Sequence, residues 1–449
     1  MRDRLMRRKF PLLASIGLIA VGMFTTTIGP SMSGRSEWAL PYDLWGTLIA
    51  AVRLLHGNVG GLYTQPTGLV SLPGAVVILL PCAAVISATG LSLLIPGPLN
   101  LHPPVWLLAG PYQIALSCAT LFAADALAEQ LGVTQWKRAM LAVASACALW
   151  NVSARWGHPE DAVAVALLLY AVLALSRSRT AHAGWLAGAA VCVQPLVLLA
   201  LPVLLAVLPW RRMPPFLVRS ALPSIVLLGA AAVANWHATY VSVTSQPNSP
   251  VINHPTAWTS LSPHMSGENV AAGPARLATI VLACCCALAV RRRALAQREA
   301  AGGDRWPSAL LADVLWWAAV TLALRSFFEP VMVSYYPWPP LAVALIPAAT
   351  LSWPRLVAAS VVAGGVTAAA QGPSHSVWIW WVPLVAGLVV VLALARDWRP
   401  SRITSSVGAV TGPIAPVTTP DHGQPGLPGA VPGAWEAGRH PRRCGAGDG

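Results

Sequence analysis

The sequence predicts an all-α fold, a polytopic transmembrane bundle of roughly 10–13 helices. Three observations carry that prediction. Of the 449 residues, 56% are hydrophobic and only 10% are charged, where a soluble domain carries about 25% charged residues. The hydrophobic residues fall in runs long enough to cross lipid. The cations sit in short clusters between those runs, as the positive-inside rule requires. The net charge of +13 therefore does not point to nucleic acid, because the basic residues form no single face or stripe. Lys9 and Lys137 are the only lysines. Arginine in place of lysine, with abundant Ala, Pro and Gly, points to a GC-rich bacterial genome and a bacterial plasma membrane.

Along the chain, the basic stretch MRDRLMRRK precedes an apolar run from Phe10 to Ile28. No small-residue cleavage site follows it, so it reads as a retained first helix with a cytoplasmic N-terminus. Further candidate spans are 68–88, 105–128, 138–152, 161–176, 183–209, 215–236, 276–290, 308–325, 340–353, 356–371 and 376–395. The turns holding Arg177 and Arg179, Arg211 and Arg212, Arg291 to Arg293, Arg355, and Arg396 with Arg399 are expected on the cytoplasmic side. The run 183–209 must then leave and return. It has room for a hairpin of two short helices, bent near Gln194-Pro195, where proline breaks the helix. Segments 30–67, 151–161, 237–275 and 325–340 become outer loops. Lys137 and Arg138 should also lie inside, which a simple count of spans from residue 30 does not deliver. Either Asp43 to His56 dips into the membrane or a run near 89–128 fails to cross.

Residues 1–399 form the expected membrane domain. Residues 400–449 are rich in Pro and Gly without apolar periodicity, and read as a disordered cytoplasmic tail whose Arg439, Arg442 and Arg443 can meet anionic lipid. All cysteines but Cys444 lie in apolar runs, and none has metal-ligand spacing with histidine. They read as small apolar helix residues.

In a chain so poor in charge, the placement of acids is informative. Asp125 and Asp313 lie toward the inner side. Most others fall at expected outer helix ends, which suits a site at the outer membrane face better than a mid-membrane transport path. Asp43 follows Pro41-Tyr42 at a helix start. It can take a proton from an acceptor hydroxyl, or simply favour the helix dipole. In the segment 150–161, Glu160 and Asp161 follow Pro159 and are ordinary helix-start acids. Arg155 and His158 have no such explanation, and an outward arginine near the headgroups suits a phosphate. The long loop 237–275 brings Tyr240, His254, Trp258, His264 and Glu268 without diagnostic spacing. Arg325 and Glu329 can pair four residues apart. Alternatively Arg325 binds phosphate while Tyr335 and Tyr336 line a sugar or lipid groove.

Four stretches, in order, carry a family resemblance: HGNVGGLY at 56–63 after an acidic outer loop, WGHPEDAVAVALLLYAVLAL at 156–175, AGWLAGAAVCVQPLVLLALPVLLAVLPWRR at 183–212, and RSFFEPVMVSYYPWPPLAVAL at 325–345. Across residues 10–395 the chain resembles actinobacterial membrane glycosyltransferases of the GT-C superfamily. Within it, the likeness is to family 87-like mannosyltransferases that depend on polyprenol-phosphate-mannose. The resemblance implies a GT-C bundle and a polyprenyl-phosphate sugar donor, with mannose the expected sugar. It also implies an envelope glycolipid or polysaccharide acceptor and chemistry on the non-cytoplasmic face. Asp43 would be the catalytic base, and the segment ending in Glu160 and Asp161 would help build the donor site. Gln194 stands where the family pattern has a lysine that could pair with the donor phosphate, so Arg155 or Arg325 would have to compensate. Some superfamily members use a divalent metal ion, for which this sequence shows no site. No nucleotide-binding glycine pattern occurs. Two other readings stay open: a transporter or lipid flippase, and a catalytically silent relative that scaffolds envelope-synthesis partners.

Overall fold

The computed structural model describes residues 8–32, 38, 41–64, 69, 71–94, 101–244, 248–301 and 306–398. The expected tail over 400–449 lies outside the described residues, as do 1–7 and Glu37. What is described is almost entirely helical. Among the described residues, seven helices are long and apolar enough to cross a membrane, starting at Lys9, Val105, Pro159, Trp210, Pro274, Ser308 and Val377. Shorter apolar helices begin at Pro73, Thr180, Pro195 and Trp338. An all-α, multi-pass membrane bundle follows from these lengths and compositions.

In chain order, α1 is Lys9–Met32, α2 Tyr42–Leu55 and α3 Pro73–Thr89. Val105–Ser117 (α4) and Ala119–Gln130 (α5) make one long, slightly broken rod. Next come α6 (Gln135–Leu149), a π-helical turn at Asn151–Arg155, and α7 (Pro159–Ser176). Then α8 (Thr180–Val193), a 3-10 turn at Pro195–Ala200 and α9 (Leu201–Ala206) precede α10 (Met213–Ala234) and α11 (Trp236–Thr244). The last group is α12 (Pro274–Ala301), α13 (Ser308–Phe328), α14 (Trp338–Ala348), α15 (Trp353–Ala369) and α16 (Val382–Leu394).

Local sequence explains the boundaries that matter. α3 has Pro73 in its first turn and ends on Gly90 in the left-handed region, φ 65°, the usual proline-in, glycine-out pattern. α7 opens on Pro159 with Glu160 and Asp161 in its first turn, where carboxylates meet the positive end of the helix dipole. α8 stops because Gln194 precedes Pro195 and is pushed to extended backbone, φ −150° and ψ 117°. α7 is buried along most of its length, whereas α10 exposes most of its apolar surface, as expected of a peripheral helix facing lipid.

Ion pairs fix which helix ends lie together. Arg8 grips Asp125 (2.5 Å) and Glu129 (2.5 Å), and Arg138 grips the same Asp125 at 2.7 Å. Lys137 donates to the Leu351 carbonyl, and Arg177 to Gln130. Asp313 pairs with Arg396 at 3.0 Å and Arg293 at 3.6 Å. This is the basic end of the bundle. Asp43, His158 and Glu329 mark the other, the site end. The rod α4–α5 runs from the site end, where Trp106 donates to Thr26 (3.2 Å), to the basic end at Asp125. The chain from α1 to α4 therefore makes no net crossing, which resolves the parity of Lys137 and Arg138. The candidate span 68–88 is a helix that does not traverse. Its start meets the hairpin at Cys192, the loop after it accepts from Trp45 at Leu93 (3.1 Å), and it packs along α2. The hairpin over 183–209 does leave and return. Its apex is Gln194, and its returning arm ends where Arg291 caps the carbonyls of Ala206 and Leu208.

Asp125 is almost wholly buried, while Glu129 keeps 38% of its side-chain surface. Removing a buried carboxylate strands two guanidinium groups, at a cost of about 3 kcal/mol. Loss of a half-exposed one costs under about 1 kcal/mol. Thermal melts should accordingly show Asp125→Ala far below wild type and Glu129→Ala near it. Equal, small losses would remove the clamp from the account of the fold.

Candidate functional site

At the site end a buried imidazole stands between two carboxylates. His158 directs Nδ1 to Glu160 Oε1 at 2.7 Å and Nε2 to Asp43 Oδ2 at 3.2 Å. The Glu160 contact is an aligned hydrogen bond. The Asp43 contact is a close ion pair whose geometry falls short of one. Glu160 and His158 are buried, whereas Asp43 keeps 54% of its side-chain surface.

The backbone enforces this meeting. Gly157 adopts φ +61°, and a Cβ there would lie 2.8 Å from Pro41 Cγ. Its missing side chain lets the segment before α2 press against the segment before α7, which brings Asp43 to His158. Pro41 is extended, so α2 starts at Tyr42 with Asp43 in its first turn.

The site continues through aromatic rings. Tyr335 lies 4.2 Å from the His158 ring and 5.3 Å from Tyr336. The Arg325 guanidinium stacks over Tyr336 at 3.8 Å. Asp161, one turn from His158, accepts from Gln194 Nε2 at 2.5 Å and attracts Arg325. Arg325 is half-buried and keeps 25% of its side-chain surface. Its contact with Glu329 is long, 3.9 Å. The shorter partner of Glu329 is Arg276, in the first turn of α12. The loop before α12 covers this region. Its strand β1 (His254–Pro255) pairs antiparallel with β2 (Val331–Met332), and Thr256 donates to the Glu329 carbonyl at 2.7 Å.

The charges at this end are set by contact. The close contact with His158, opposing burial, holds the Asp43 carboxyl below its ordinary 3.8. Burial alone would favour a neutral His158 ring, but Glu160 and Asp43 together lift it well above 6.5. Both groups are then ionised at neutral pH. By linkage, the Asp43 share of stability is present above 3.8 and is lost as pH falls through its lowered value. The His158 share is present below 6.5 and is lost as pH rises through its raised value. Burial pushes the Tyr335 and Tyr336 hydroxyls upward, so both stay protonated.

Of the residues singled out in sequence, Asp43, His158, Glu160, Arg325, Glu329, Tyr335 and Tyr336 join one connected set of contacts, and Asp161 with Gln194 forms a pair that follows Glu160 in the chain. Arg155 does not: it is exposed on the π-helical turn, with no ion pair among the described residues. Trp258 and His254 belong to the covering loop, where Trp258 donates to Phe327 and His254 stacks on Trp380 at 3.6 Å. Sequence reasoning missed Arg276. The available signal was a cation in a helix first turn, where the dipole disfavours it, at the otherwise cation-poor end.

Among the described residues, no group of three or more His, Cys, Asp or Glu side chains is arranged to hold a metal ion. Both His158 ring nitrogens face carboxylates. No family model matches the chain, and no curated protein matches it.

Gly157→Ala would place a side chain at positive φ, at about 1 kcal/mol, and would force Pro41 back. A total loss of about 1–3 kcal/mol is expected. The imidazole of His158, followed by NMR in the solubilised protein, should titrate closer to 6.5 as Asp43 moves off. Unchanged titration would show that the Pro41 contact does not position Asp43.

Proposed function

We propose that the protein is an integral-membrane glycosyltransferase of the GT-C type. It would move a sugar, mannose by the family resemblance, from a polyprenyl-phosphate donor to an envelope glycolipid or polysaccharide. The observation that carries the reading is a half-exposed Asp43 held against the buried His158 ring, with a continuous ring path from it to a half-buried Arg325.

The chemistry needs two things from the chain. The acceptor hydroxyl must lose a proton as its oxygen bonds to the sugar C1, and Asp43 accepts that proton through the oxygen turned away from His158. The bond between C1 and the donor phosphate breaks, and charge grows on the phosphate oxygen. Arg325 is half-buried and offers N–H donors that Glu329 does not fill. Gln194 is committed to Asp161, so it orients the carboxylate rather than meeting phosphate as a lysine would. Tyr335 and Tyr336 supply ring faces for sugar. The lipid tail of the donor stays in the bilayer, which is why the site sits at a helix end.

The acids nearer the basic end argue against a transport path. Asp125 and Asp313 are each matched by arginines there, and so have a structural explanation. On this reading the basic end, with both termini, is cytoplasmic and the site end faces outward.

Membranes containing the protein should transfer label from polyprenyl-phosphate mannose to an endogenous acceptor. Asp43→Asn should reduce the rate by at least about a hundredfold. Arg325→Ala should do so by a comparable factor, through kcat more than KM. Glu329→Gln, which leaves Arg325 and Arg276 in place, should retain part of the activity. Wild-type transfer that persists in Asp43→Asn would remove Asp43 as base.

A further inference from the structure

The hairpin has an outer side as well as the apex used by the site. α10 packs on its outgoing arm, α8, and α12 packs on its returning arm, Pro195–Ala206. The returning arm is left partly open between them: Leu198 is exposed, and Leu201 and Leu205 are half-buried. The flanking helices also expose apolar side chains, among them Val218 and Leu288.

At the basic end this apolar surface meets a cluster of cations. Arg291 is committed, stacking on the Trp210 ring at 4.0 Å while donating to Ala206 and Leu208. That lock holds the 3-10 turn Trp210–Arg212 against α12 at Arg291, the residue before Arg292. Trp210 remains 71% exposed. Arg211, Arg212 and Arg292 are exposed and have no ion pair among the described residues. Arg293 differs, because Asp313 answers it.

From this juxtaposition we infer that the α10–hairpin–α12 face is a binding site for an anionic diacyl phospholipid of the leaflet at the basic end. The phosphate and its neighbouring negative charge rest on Arg211, Arg212 and Arg292. The acyl chains lie along the returning arm toward Leu198, and the Trp210 indole sits at headgroup level. Cations with no ion pair among the described residues, beside exposed apolar side chains, match an amphiphile that carries net negative charge. A zwitterionic headgroup would leave the guanidinium charge unbalanced. The site lies at the opposite end from Asp43 and does not depend on the transfer reading.

Full-length protein can be delipidated in detergent and then offered phosphatidylglycerol or phosphatidylcholine, with bound lipid counted by native mass spectrometry. Wild type should prefer phosphatidylglycerol by about tenfold or more. The triple Arg211→Ala, Arg212→Ala, Arg292→Ala variant should lose that preference. The matching lysine triple and Arg155→Ala, at the other end, should keep it. If the alanine triple does not fold, the single variants carry the same test, each weakening the preference severalfold. Equal binding of the two lipids by wild type, or an undiminished preference in the alanine variants, would overturn the site.

Discussion

Burying a charge in an apolar bundle costs several kcal/mol per ion unless partners stand ready. His158 is such a charge, and Asp43 and Glu160 are the partners that make it tolerable. The imidazolium in turn keeps Asp43 ionised while half of that side chain stays exposed. Removing either carboxylate favours the neutral ring, and removing the ring lets burial raise Asp43. The charges of Asp43 and His158 are therefore conditional on each other. The aromatic path leads on to Arg325, and Arg276 pairs with Glu329 beside it.

Much of the surrounding architecture serves to bring these groups together from distant parts of the chain. Gly157 admits Pro41, which sets the start of α2. Pro159 starts α7 immediately after His158, so Glu160 and Asp161 project from its first turn. Gln194 reaches Asp161 because the chain turns back at Pro195 instead of crossing. The covering loop is tied by β1 to β2 and by Thr256 to the backbone of Glu329. At the opposite end, Asp125 holds α1 against the start of α6 through Arg8 and Arg138. The two ends thus divide the work: one secures the bundle, and the other carries a concentration of charge with open surface.

The sequence made the helices legible because lipid permits few alternatives to long apolar runs. The hairpin bend was legible from Gln194-Pro195, since the residue before proline avoids helix. The site segments were legible as islands of charge in a charge-poor chain. The behaviour of 68–88 was not, because an apolar helix that packs under α2 has the same composition as one that crosses. Nor was the partner of Glu329: local spacing pointed to Arg325, while the tighter contact comes from Arg276, far away in sequence. Arg155 looked suited to phosphate by its position, yet the π-helical turn directs it outward. Spacing reports neighbours on one helix, and the site is built between helices.

The most direct measurement is the pH dependence of sugar transfer in wild type and in His158→Gln. If Asp43 is the base and His158 holds it ionised, the acid limb of the wild-type rate lies below 3.8. Without the imidazolium, burial lifts that limb above 3.8 in the variant. A limb that does not move would contradict the coupling. A wild-type rate that rises only as pH passes well above 6.5, where His158 loses its proton, would make a neutral His158 the base, and the role given to Asp43 would be wrong.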